Sequence, residues 1–98
     1  MIRLLPLQDL VRTGPVDHAD WNYRPLLGLL QRRRFQLATA LLPRPRMQRL
    51  LEVGYGSGVF LPELARHCEE LHGIDTHASP AEVLGKLLPH GVAPCLTQ

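Results

Sequence analysis

Three glycines at alternate positions, Gly54, Gly56 and Gly58, stand between two carboxylates in this chain. Glu52 lies two residues before the first glycine, and Asp75 lies 17 residues after the last. Glycines so spaced let a backbone turn sharply and bring bare main chain against a ligand. A carboxylate beyond such a loop can accept hydrogen bonds from both hydroxyls of a ribose. The chemistry is therefore that of nucleoside recognition, and the details narrow the ligand. A dinucleotide fingerprint, G-x-G-x-x-G, wants its third glycine at position 59, where this chain has Val59. No lysine stands near the loop, and G-K-[ST] is absent, which removes a triphosphate-binding loop. Glu52 would repel a pyrophosphate and attract a positively charged group. Tyr55 and Ser57 are further candidates for ligand contact by position, and for each a solvent-facing alternative stays open.

The elements that must hold these residues are set by apolar spacing and by proline and glycine. Residues 1–24 read as an irregular lead-in, with one short ordered piece expected within residues 2–11 and a break at Gly14-Pro15. Trp21 and Tyr23 are expected to pack their rings on the domain C-terminal to them. Pro25 suits the first turn of a helix, and Leu26, Leu27, Leu30, Leu37, Ala38, Leu41 and Leu42 recur at helical spacing up to Pro43-Arg44-Pro45. Residues 50–53 are mostly apolar and run straight into the Gly loop. The pattern Phe60, Leu61, Leu64, Ala65, Cys68 then reads as a helix, giving strand-loop-helix. Residues 71–75 form a second strand. Ser79-Pro80 opens a further helix with Val83, Leu84, Leu87 and Leu88 on one face. Residues 92–96 begin a third strand. A helix followed by βαβαβ predicts an α/β fold with parallel strands and right-handed crossovers.

The run Leu50-Leu51-Glu52-Val53-Gly54-Tyr55-Gly56-Ser57-Gly58, with Gly73-Ile74-Asp75, resembles the first two motifs of the class I S-adenosylmethionine-dependent methyltransferases. Within them it is most similar to the bacterial small-molecule and lipid type. The resemblance covers roughly residues 49–97 and implies a Rossmann-like fold, strands adjacent in the order 3-2-1, with residues 25–98 as part of that domain. It implies S-adenosyl-L-methionine as cofactor, bound by Glu52, Gly54, Tyr55, Gly56, Ser57, Gly58, Asp75 and Thr76. In that scheme the Gly loop wraps the methionine part, Glu52 faces its amino group, Asp75 holds the ribose and Thr76 lies near the adenosine. The reaction implied is methyl transfer to a small-molecule or lipid acceptor. The family's sheet continues through a fourth strand beside the transferable methyl, and the match here runs only through strand three. The expectation is therefore a truncated, N-terminal cofactor half-site whose catalytic residues are unknown. Without a fourth strand the first becomes an exposed apolar edge, and marginal stability or self-association through it is expected.

Composition agrees with a globular domain: 45% of the 98 residues are hydrophobic and 20% charged. The net charge of +2, with four basic residues between Arg24 and Arg34, gives no nucleic-acid signature. No apolar run approaches the roughly 20 residues that span a bilayer, and the opening residues lack a signal-peptide pattern. A cytoplasmic location is the resulting expectation. Cys68 and Cys95 have no partner at metal-ligand spacing and are expected in the core. His67 and His72 beside Glu69 and Glu70 likewise have no coherent metal spacing, and His77 is expected to be solvated. Three other readings stay open. They are a nicotinamide-dependent oxidoreductase, a catalytically inactive fragment, and an interaction module using Arg32, Arg33 and Arg34.

Overall fold

A computed structural model describes residues 2–98. It is a small α/β structure whose three strands, β1 (Met47–Val53), β2 (Cys68–Ile74) and β3 (Cys95–Thr97), are all parallel. The sheet order is β1-β2-β3, which leaves β1 at one edge. Helix α1 (Pro25–Thr39) precedes the sheet. Helix α2 (Leu61–Leu64), extended by a 3-10 turn at Ala65–His67, joins β1 to β2. Helix α3 (Pro80–Leu87), extended at Leu88–His90, joins β2 to β3.

The register sorts the strand residues onto two faces. Leu51 pairs with His72 and Val53 with Ile74, while Leu50 pairs with Leu71 and Glu52 with Gly73. Because side chains alternate along a strand, Leu50, Glu52, Leu71, Gly73 and Leu96 share one face. That face carries the core: Leu71 and Gly73 are buried, with Leu50 and Leu96 packed against the same cluster. The other face is open. Leu51 is 59% and Val53 77% exposed, and Ile74 is exposed beside them. Parallel sheets normally bury both faces under helices, so this one is half covered.

The lead-in belongs to that core. Leu5 is fully buried, its N–H donates to the Val59 carbonyl at 3.0 Å, and the Tyr23 hydroxyl donates to the Leu5 carbonyl. The buried Glu63 accepts from the Arg3 backbone N–H at 2.7 Å and contacts His67 at 2.8 Å. These contacts hold its carboxyl below the usual range, although burial alone would raise it. The lead-in thus packs into the same core as the residues after it. Two 3-10 helices, Leu7–Asp9 and Ala19–Tyr23, give the lead-in more order than its sequence announced.

Other expectations need correcting too. The α1 stripe is not buried: Leu26, Leu30, Leu37 and Leu41 are exposed, and the helix ends at Thr39. Arg32, Arg33 and Arg34 interrupt the stripe, and the helix is anchored instead by the stack of Phe35 on Phe60, centroids 3.8 Å apart, and by Gly28 against Asn22. The helix expected through Cys68 stops early because Cys68 already pairs with Met47 in the sheet. Strand β3 starts only at Cys95, since Pro94 has no N–H for the ladder. Cys68 is buried as expected, whereas Cys95 is exposed. Ser79 occupies the N-cap position of α3 without a side-chain cap bond. No helix among the described residues is long and apolar enough to cross a membrane.

Candidate functional site

The Gly loop leaves the C-terminal end of β1 and turns back under its own hydrogen bonds. The Gly54 N–H donates to the Ile74 carbonyl at 2.7 Å, and the Gly58 N–H to the Tyr55 carbonyl at 2.8 Å. Gly54, Gly56 and Gly58 all have positive φ, at 79°, 57° and 82°. Side-chain-bearing residues rarely adopt that region, so the glycines are required by the loop's path. At Gly58 a Cβ would also lie 3.0 Å from Val83 of α3, so that glycine seats the loop on the helix layer.

Asp75 comes directly after β2 at the same sheet edge. Its Oδ2 accepts from the Gly56 N–H at 2.7 Å, and its Oδ1 accepts from the Thr76 N–H at 2.6 Å. Burial raises its carboxyl, but these bonds outweigh it and hold Asp75 below the usual carboxylate range. Each oxygen retains a lone pair for a further donor. His77 grips the same loop residue at its carbonyl. The Ser79 N–H donates to His77 Nδ1 at 3.0 Å, so Nε2 carries the proton and donates to the Gly56 carbonyl at 2.9 Å. The ring also meets Tyr55 edge-on, centroids 5.0 Å apart. His77 is thus a strut between the two loops, where sequence reasoning expected a solvated side chain. Its signal was its position two residues after the strand-end carboxylate.

Glu52 sits on the covered face of β1, directly beneath the loop. Desolvation, then the nearby negative charge of Asp75, push its carboxyl up to about 7. Its Oε1 is buried without a hydrogen-bond partner. A buried carboxylate in that state is costly unless a cation or donor reaches it. Ser57 is 1% exposed, and its Oγ is likewise buried without a partner. Tyr55 proves to be a core residue: its ring packs against Gly73, and its hydroxyl points to the Thr97 carbonyl at 3.5 Å. Thr76 is exposed and contributes chiefly its backbone N–H to Asp75.

The structure therefore brings Gly54, Gly56, Asp75, Thr76 and His77 onto one cleft of about 460 Å³, roofed by residues 13–18 of the lead-in. Asp17 shapes that roof, accepting from the Thr13 N–H at 3.0 Å and from the Ala19 N–H at 3.1 Å. A second cleft of about 290 Å³ lies across the Gly loop, between it and the Ala19–Tyr23 turn. Sequence reasoning gave no role to Asp17 or Asn22, because loop polar residues carry no periodic signal. Among the described residues no three His, Cys, Asp or Glu side chains converge as a metal site. No protein-family model, curated protein or solved structure matches the chain.

Proposed function

We propose that this chain binds S-adenosyl-L-methionine and forms the cofactor half-site of a methyltransferase acting on a small-molecule or lipid acceptor. One observation carries the reading. A loop of three positive-φ glycines is fixed through its middle glycine to Asp75, above a half-buried Glu52 whose Oε1 is buried without a partner. The residues suit the cofactor's chemistry part by part. The buried carboxylate of Glu52 is a site for an ammonium group, whose arrival would satisfy it and restore its charge. The remaining lone pairs of Asp75 suit ribose hydroxyls. Val59 stands where a dinucleotide loop has its third glycine, and the Glu52 carboxylate would repel a pyrophosphate, which disfavours a nicotinamide dinucleotide. The adjacency of β1, β2 and β3 supports reading them as the first three strands of a Rossmann-like sheet.

When bound, the cofactor would supply a sulfonium methyl: an acceptor's lone pair would form the new bond to the methyl carbon as the S–CH3 pair returns to sulfur, the neutral thioether leaving and the acceptor's proton passing to solvent. The chain's own contribution is positioning and electrostatics. Glu52 holds the amino end, the Gly54–Gly58 backbone allows close approach, and Asp75 fixes the ribose. His77 and Asp75 together keep the backbone at Gly56 from rotating. With β1 at the sheet edge and its outer face bare, the site is walled on one side, so we assign cofactor binding to this chain and leave the catalytic residues unassigned. Equilibrium dialysis against S-adenosylhomocysteine and NAD⁺ tests the reading. Retention of the first and not the second is expected; retention of NAD⁺ alone would replace it with the oxidoreductase reading.

A further inference from the structure

The lead-in and α1 together form a groove of about 590 Å³ that shares no residue with either cleft at the Gly loop. Its volume falls within the roughly 300–1,000 Å³ of small-molecule sites. Around Leu5 the lead-in is not helical, and the side chains of an extended segment alternate in direction. Leu5 accordingly turns into the core, while Ile2, Leu4 and Pro6 line the groove with Tyr23. On α1, Leu29, Arg32, Arg33 and Gln36 stand at i, i+3, i+4 and i+7, a single helix face, and they complete the lining. Leu29 is 64% exposed there. Arg32 Nε donates to the Gly28 carbonyl at 3.3 Å, which steadies that side chain against its own helix, and Arg33 is exposed. Burial raises the Tyr23 hydroxyl, and the charge of Arg32 acts against that rise, which puts the guanidinium within electrical reach of the ring. Neither Arg32 nor Arg33 is ion-paired among the described residues, and no Asp or Glu lines the groove.

We infer that this groove binds a single-chain aliphatic carboxylate, with its chain along Ile2, Leu4, Pro6 and Leu29 and its head on Arg32 and Arg33. A guanidinium presents its donors in a planar fork that matches a carboxylate bidentately. The complementarity is one of sign as well as shape. Two cations without a counter-charge call for an anion, and no acidic side chain in the lining opposes one. The aliphatic walls and the exposed Leu29 call for a chain, since covering them removes apolar surface from water. Arg34 adjoins these two arginines in sequence but lines a different cleft, beside Phe35 and Phe60. The arginine run that interrupts the α1 stripe is thus divided, and only its first two members serve the groove. Because the groove shares no residue with the clefts at the Gly loop, the inference does not rest on the methyl-transfer reading.

Decanoate, below its micelle concentration, is titrated against the ¹⁵N-labelled chain, with 1-decanol as the uncharged control and acetate as the control without a chain. The inference expects saturable amide shifts in residues 2–5 and 29–36 with decanoate, at least fivefold weaker binding of 1-decanol, and no shifts with acetate. Arg33 is exposed, so Arg33→Gln should leave the melting temperature unchanged while weakening decanoate at least fivefold. Leu29→Gln should weaken it too. Arg34→Gln removes the same charge outside the groove and should change the affinity less than twofold. Saturating S-adenosylhomocysteine should leave the decanoate shifts in place. Absence of shifts in the folded chain, equal binding of 1-decanol, or equal losses in Arg33→Gln and Arg34→Gln would each overturn the groove as a carboxylate site. Displacement of decanoate by S-adenosylhomocysteine would overturn it as well. Binding to phosphatidylglycerol vesicles without any decanoate shifts would give the arginine face to a membrane surface and overturn the inference.

Discussion

Glu52 and Asp75 are two carboxylates at one sheet edge with opposite tendencies, and the opposition has consequences for pH. Asp75 is held ionised by two backbone N–H groups; Glu52 is pushed up to about 7 by burial, with Asp75 adding to the effect. A folded-state value above the unfolded one means the native chain binds an extra proton between the two. The stability that Glu52 contributes is therefore present below about pH 4.5 and lost as pH rises through about 7. Asp75 and Glu63, both lowered, act in the other direction and only in more acid solution. Glu52→Gln should remove the decline toward pH 7 and raise stability at pH 8 by about 3 kcal/mol, with urea titrations at pH 5 and pH 8 as the check. Equal pH dependence in the parent and the variant would show that Glu52 titrates in the native chain as it does in the unfolded one. The same substitution should weaken cofactor binding, as expected where function keeps a destabilising group in place.

The short turn at Ala19–Tyr23 and helix α1 show how backbone contact positions this site. A Cβ at Gly28 would lie 2.5 Å from the Asn22 backbone oxygen, so only glycine lets the helix approach the turn this closely. Gly28→Ala should destabilise the fold by about 1–3 kcal/mol through overpacking and should displace the turn from the Gly loop. Amide exchange that quickens first in residues 19–23 would confirm it; a variant as stable as the parent with unchanged exchange would not. Sequence patterns announced the strand-loop-helix order and the parallel sheet, since Gly54, Gly56 and Gly58 punctuate a short apolar run and Pro25 and Pro80 open helices. They also put Glu52 and Asp75 at the loop. Three things stayed hidden, each for a physical reason. Pairing with Met47 ended the α2 segment before Cys68, and no local signal encodes a pairing 21 residues away. Tyr55 turned inward because Gly73 opens space for its ring across the sheet. The α1 stripe has the spacing of a buried face, yet burial depends on what packs against it, and periodicity alone does not supply that.

As a whole, the molecule puts its core on one side of the sheet and leaves Leu51, Val53 and Ile74 open on the other, beside an unpaired β1 edge. Such an edge is a template for association. We expect the chain to show concentration-dependent mass in sedimentation equilibrium, and Leu51→Lys with Val53→Lys to return it to monomer without loss of the core. A strictly monomeric parent across the concentration range would contradict this. The central claim is that the Gly loop, Glu52 and Asp75 together hold an S-adenosyl ligand through its ammonium and ribose. Isothermal calorimetry of S-adenosylhomocysteine against the folded chain at pH 6 and pH 8 tests it most directly. An ammonium reaching Glu52 must displace a proton at pH 6, so affinity should rise roughly five- to tenfold toward pH 8. That rise should vanish in Glu52→Gln, and binding should be lost in Asp75→Ala. No heat of binding from a demonstrably folded sample, or an affinity indifferent to both pH and Glu52, would contradict the account.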